Sequence, residues 1–130
     1  MNYLENNENQ RKNDEPFALF WSINPPHTPF KQVPERYKKR YEGMDYKEVL
    51  NRPNVQFSDN YELKRGDHGV EKRLNEAKDY FASVNGVDDQ IGRVIQKLKE
   101  KGLYENTIIV FSADHGEMLG SQGLMHKNVW

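Results

Sequence analysis

The sequence predicts an α/β fold, a partial parallel sheet with a crossover helix. Two continuous apolar runs, "PFALFWSI" (16–23) and "NTIIVFSA" (106–113), read as strands buried on both faces, since one-sided strands alternate polar and apolar residues. Between them, residues 71–101 repeat apolar positions at three- and four-residue steps. Strand, loop, helix and strand make one crossover unit, whose strands should lie parallel and whose connection should be right-handed.

The elements follow in chain order. Residues 1–15 are rich in Asn and Glu and read as a polar helix tail running into a loop, solvated throughout. The first apolar run stops at "NPPHTPF" (24–30), whose three prolines exclude both helix and ladder. "PERYKKRYEG" (34–43) is a short helix candidate: Pro34 suits a first-turn position, Tyr37 and Tyr41 are spaced i,i+4, and Gly43 ends it. Residues 44–70 show no periodicity and read as irregular surface chain. In the long helix, Leu74, Ala77, Phe81, Val84, Ile91, Ile95 and Leu98 form the apolar stripe. Lysines at 97, 99 and 101 suit the negative end of its dipole, and Gly102 is placed to stop it. A break is expected near Asn85-Gly86, and Gly92 would allow close approach to a sheet.

Composition narrows the possibilities. The 130 residues suit one domain, yet only 35% are apolar while 30% are charged. That is polar for a self-sufficient globule, while the 12% aromatic share argues against wholesale disorder. Two strands do not make a stable sheet, so the chain reads as part of a larger one. Its unpaired strands carry an expectation of self-association. Nineteen basic against twenty acidic residues, with no basic stripe, give nucleic acid binding no support. No apolar run could span a bilayer. The polar start "MNYLENNENQRKNDE" has no signal-peptide core, which for an incomplete chain leaves localisation open. With no cysteine, disulfides, thiolate metal sites and a Cys nucleophile are excluded within this stretch.

In open α/β sheets chemistry gathers beyond the carboxyl ends of the strands. Asn24 and His27 follow the first run; Asp114, His115 and Lys127 follow the second. Asp114 and His115 can reach one ion only if the chain turns there, and Gly116 permits a turn. Taken alone, Asp-His-Gly is more often a capping acid beside a solvated histidine. His27, held between prolines, is either a donor to an anion or a surface histidine, and Lys127 alone would be solvated. His68, in a second "DHG", reads as a surface turn; His126 stays undecided. Glu117 reads as an acid at a helix or turn start, and "MLGSQGLMHK" as a loop folding back over a pocket.

Several of these stretches, in order, resemble the sulfatases of the alkaline phosphatase superfamily. "TIIVFSADHGEMLGSQGLMHKNVW" is similar to the family's second signature region, a strand leading through Asp-His/Asn-Gly into a glycine loop and a lysine. "PFALFWSINPPHTPF" resembles its strand bearing a substrate-facing histidine, followed by "VPERYKKRY". "YFASVNGVDDQIGRVIQKLKEKGLYENTIIVFSADHG" resembles its long helix and next strand. The resemblance runs from about residue 16 to the end, so 16–130 reads as a partial catalytic domain, incomplete at both ends.

The resemblance implies an alkaline-phosphatase-like fold and a metal-dependent sulfuric ester hydrolase. Asp114 and His115 would be ligands of a divalent cation, His27 and Lys127 would contact the sulfate, and Lys127 would stabilise or protonate the leaving oxygen. Calcium is the family's usual ion, and a histidine ligand also admits manganese or zinc. The family's nucleophile, a formylglycine made in a C/S-x-P/A-x-R motif, has no counterpart here, nor have its paired N-terminal acids. The expectation is therefore a fragment that supplies part of the metal and sulfate site and is inactive alone. A phosphonate monoester hydrolase or phosphodiesterase fragment, or a non-catalytic binding domain, are the other readings.

Overall fold

A single long helix organises the chain. The computed structural model describes residues 2–5, 15–55, 69–124 and 126–127, with 69–75 as backbone alone. Its helices are α1 (Asn2–Glu5), α2 (Glu35–Lys38), α3 (Tyr46–Val49) and α4 (Gly69–Glu100), with 3₁₀ turns at Phe30–Gln32, Lys39–Tyr41 and Tyr104–Asn106. The expected helix over 71–101 is thus present, and it runs unbroken through Asn85-Gly86. Both strand expectations differ from what is seen. No strand is assigned among the described residues, and the last residue of the 3₁₀ turn, Asn106, was expected to open the second strand. The physical reason is that a strand needs a partner for every backbone group. Without one the two runs lie open, with Phe20 95% and Ile108 92% exposed.

α4 ends as its sequence dictates. Gly102 takes φ +67°, its N–H donates to Lys99 C=O at 3.0 Å, and Leu103 N–H donates to Leu98 C=O at 2.9 Å. These are the two bonds of a Schellman stop, reached at least cost by a residue without Cβ. Within α4 the glycines exchange their expected roles. A Cβ at Gly86 would sit 3.3 Å from the Tyr37 ring, whereas one at Gly92 would meet nothing within 4 Å. Gly86 is therefore the close-approach position, and it faces α2 instead of a sheet.

α2, α3 and the 3₁₀ turn at Phe30–Gln32 pack on α4. Pro34 lies just before α2 as its N-cap residue, and Gly43 ends this stretch with φ +77°. Tyr37 and Tyr41 both turn towards α4: Tyr37 Oη donates to Asp89 Oδ2 at 2.7 Å, and Asn85 Nδ2 donates to Tyr41 Oη at 2.9 Å. The Tyr41 and Phe81 rings lie 6.4 Å apart.

Residues 44–55 are not the irregular surface chain expected of them. Asp45 caps α3 by accepting from Lys47 N–H at 2.8 Å, while Glu48 reaches back to accept from Asp45 N–H at 2.8 Å. This reciprocal box was legible as "DYKE". It delivers Leu50, 1% exposed, into a cluster with Ala77 and Leu119, flanked by Tyr46, Val55, Tyr80 and Phe81. At the other end of α4, Leu4 is 3% exposed and Glu5 lies 3.4 Å from Lys97 Nζ. The expected solvated tail is therefore docked at this turn. The "DHG" containing His68 lies outside the described residues.

Two stability predictions follow from this core. Leu50→Ala should cost ~2–5 kcal/mol, read as a lower urea midpoint, because a side chain with almost no exposure leaves a cavity. Tyr80 is held above its ordinary value of 10.0, first by burial and then by the Glu117 charge, with Arg52 opposing. The neutral phenol is favoured in the fold, so its contribution is complete below pH 10.0 and lost as pH rises through the raised value. Tyr80→Phe should therefore flatten the alkaline fall in melting temperature.

Candidate active site

The loop after the second apolar run is built by its own backbone. Glycines and left-handed residues alternate along it: Leu119 at φ 43°, Gly120 at 83°, Gln122 at 54°, Gly123 at 74° and His126 at 66°. Ser121 N–H donates to Met118 C=O at 2.8 Å, and Gly120 N–H donates to Leu124 C=O at 2.8 Å. Met118 N–H donates to His126 C=O at 3.1 Å and closes the loop. A leucine at positive φ costs about 1–2 kcal/mol, and burying its side chain returns about 1.5–3 kcal/mol. Leu119, 2% exposed, meets both conditions, so burial sustains the strained backbone.

The loop also docks on the segment after α3. Gln122 N–H donates to Asn54 C=O at 2.7 Å, Val55 and Ser121 form an antiparallel bridge, and Arg52 Nη2 donates to Met118 C=O at 3.2 Å. No helix begins at Glu117. Its carboxylate accepts from His126 N–H at 2.5 Å, across the neck of the loop.

Asp114 and His115 come together at a bend. Asp114 Oδ1 accepts from His115 N–H at 2.9 Å, and its Oδ2 lies 3.3 Å from His115 Nε2. His115 Nδ1 is 2.9 Å from Gly116 C=O, which can only accept, so Nδ1 carries a proton and donates it there. In the neutral ring this leaves the Nε2 lone pair facing a carboxylate oxygen. Two lone-pair atoms at that separation repel unless a proton or a cation lies between them. The pair thus fits as two neighbouring donors to one cation, one oxygen and one nitrogen. Among the described residues no group of three or more acids, histidines or cysteines could complete such a site. Both side chains reach solvent, at 87% for Asp114 and 41% for His115.

His27 is exposed, with its N–H donating to Asn24 C=O at 3.0 Å and its Nδ1 2.9 Å from Thr28 C=O. Here too Nδ1 is the donor, so only the imidazolium form has an Nε2–H to offer an anion. His27 and Asn24 line a cavity of about 370 Å³ together with Trp21, Arg36, Tyr37 and Gln90. Arg36 donates to Tyr37 Oη at 3.0 Å, a bond that raises the guanidinium further above its usual range. Asp114, His115 and Lys127 do not line this cavity. Lys127 is half-buried and follows the His126 backbone pinned at Glu117 and Met118. The expected loop folds back on itself and on residues 52–55 instead of covering the cavity. The Glu117 clasp and the Arg52 contact were not foreseen. Nothing local distinguishes Glu117 as a backbone acceptor nine residues ahead of its donor.

Comparison with known proteins places the chain in a family. The sulfatase family model matches residues 2–129. The chain is 34% identical over 125 residues to an endo-4-O-sulfatase of Bacteroides thetaiotaomicron, covering 94% of this chain and 22% of that protein. It is 38% identical over 114 residues to an ulvan-active sulfatase of Formosa agariphila, covering 88% and 20%. A solved structure from work on the metabolism of multiple glycosaminoglycans by Bacteroides thetaiotaomicron superposes with a TM-score of 0.78 at 34% identity, covering 93% of this chain and 23% of that one. The chain belongs to the sulfatase family, and its structure superposes on a solved sulfatase structure. It spans about a fifth of the length of these curated relatives.

One consequence of the paired geometry can be measured. Because Asp114 Oδ1 and Oδ2 both engage His115, Asp114→Asn should perturb the His115 ring resonances, whereas His27 should keep its wild-type shifts. Unchanged His115 signals would remove the contact.

Proposed function

We propose that this chain is part of a sulfuric ester hydrolase and contributes one portion of its metal and sulfate site. The observation that carries this reading is the convergence of Asp114 and His115, at a bend, in a chain of the sulfatase family. The Asp114 carboxylate and His115 Nε2 would hold a divalent cation, calcium by family habit, with manganese and zinc open to the nitrogen ligand. Once bound, such an ion supplies electrostatic stabilisation of the sulfuryl oxygens.

The chain's own residues do the rest. Gly116 C=O holds the His115 ring in the tautomer with Nε2 free to donate its lone pair. Lys127 offers an ammonium to the leaving oxygen, as charge stabiliser or proton donor. His27, as imidazolium, donates from Nε2 to a non-bridging sulfate oxygen while Nδ1 stays with Thr28 C=O. The substrate is a sulfate ester. In the complete enzyme, residues 16–23 and 106–113 would be parallel strands of one sheet with α4 as their crossover, placing both site loops at one sheet edge. The formylglycine nucleophile would come from outside these residues, since the chain holds no cysteine and no serine in a C/S-x-P/A-x-R motif. The open strand faces support self-association of the chain on its own.

The isolated 130-residue protein should show no arylsulfatase turnover above a heat-killed control; clear metal-dependent turnover would overturn its reading as an inactive portion. In a longer protein containing this sequence, Asp114→Ala should abolish metal occupancy, and unchanged metal content would take Asp114 out of the site.

A further inference from the structure

Glu117 stands two residues beyond His115 and its carboxylate accepts from His126 N–H at 2.5 Å. The neighbouring bond, Met118 N–H to His126 C=O at 3.1 Å, holds the peptide on the other side of the same residue. His126 also sits at φ 66°, a conformation a non-glycine residue keeps only when its surroundings hold it. Lys127 is the next residue, its Cα about 3.8 Å further along the chain. Each contact bears on the residue just before Lys127. The Leu50–Ala77–Leu119 core begins one residue beyond Met118, and none of its three residues takes part in these bonds.

We propose that Glu117 is a positioning residue: through the His126 N–H it holds Lys127 back towards the Asp114–His115 pair, where an anionic sulfuryl group would be bound. The inference rests on the sulfate role given to Lys127 above. A charged acceptor suits the task because charge-assisted bonds are shorter and roughly twice as strong as neutral ones. Arg52 Nη2 donates to the neighbouring Met118 C=O at 3.2 Å, which ties this end of the loop to the segment after α3.

The test uses the full 130-residue chain, isotope-labelled and titrated with inorganic sulfate at constant ionic strength, for wild type, Glu117→Ala, Glu117→Gln and Lys127→Ala. Amide exchange is read at His126 and, as a report on the core, at Leu50. Glu117→Ala should speed exchange at His126 about tenfold and weaken sulfate binding about tenfold, the loss of one hydrogen bond. Leu50 exchange should stay unchanged. Glu117→Gln keeps a neutral oxygen acceptor and should recover part of both effects. If Lys127→Ala abolishes the sulfate response while Glu117→Ala leaves it and the His126 exchange intact, the positioning role is overturned. Exchange that rises equally at His126 and Leu50 also overturns it, reducing Glu117 to a structural residue. Sulfate binding that survives Lys127→Ala, or a wild-type chain without a sulfate response, overturns instead the anion contact on which the inference rests.

Discussion

The burial of Leu119 against Leu50 and Ala77 joins three parts of the chain that share no regular hydrogen-bonded ladder. Leu50 comes from the capped helix α3, Ala77 from the long helix α4, and Leu119 from the loop beyond Asp114 and His115. Leu119 enters this cluster with its backbone in the left-handed region, which the apolar burial sustains. Once it is seated, the rest of the loop has little freedom. Ser121 bridges Val55, Gln122 bonds Asn54, and the chain returns to place His126 against Glu117 and Met118. The polar groups of the candidate site are exposed, but the frame that carries them is anchored in a small, well-packed core.

Around that anchor, polar geometry does what packing cannot. A carbonyl that can only accept fixes each of two histidines in the Nδ1–H form: Gly116 for His115 and Thr28 for His27. The consequences differ. In His115 the remaining nitrogen faces a carboxylate oxygen at 3.3 Å. His27 lines a cavity together with Arg36 and Trp21, and its remaining nitrogen can donate only when the ring is charged. Identical local bonds thus leave the second nitrogen of each ring in a different setting.

The open faces of the two apolar runs show how far the fold depends on partners. Phe20, Ile108, Val110 and Phe111 are each more than three-quarters exposed. Burying such a side chain is worth about 1.5–3 kcal/mol. α4 presents part of its stripe in the same way, with Val84 37% exposed, while its buried contacts come from Ala77, Ala82 and Leu98. Packing therefore falls on the side of α4 that meets α2, α3 and the 3₁₀ turn at Phe30–Gln32.

What was legible in the residues is what depends on near neighbours. The span of α4, its stop at Gly102, the helical stretch Glu35–Tyr41 that ends before Gly43 and the bend at Asp114 follow from periodicity, glycine freedom and local hydrogen bonding. The "DYKE" capping box was equally local, and a reading for periodicity alone passes over it, because four residues are too few to show a period. The order of motifs was enough to recognise the sulfatase family. Contacts across distance were not legible. That Gly86 and not Gly92 would meet a neighbour depends on Tyr37, forty-nine residues away (86 − 37), and the Glu117 clasp depends on His126, nine residues further along the chain. β-forming runs state a preference for strand, yet a ladder is a property of two segments. Whether these runs pair is decided by which chain lies beside them, and no single stretch of residues carries that information.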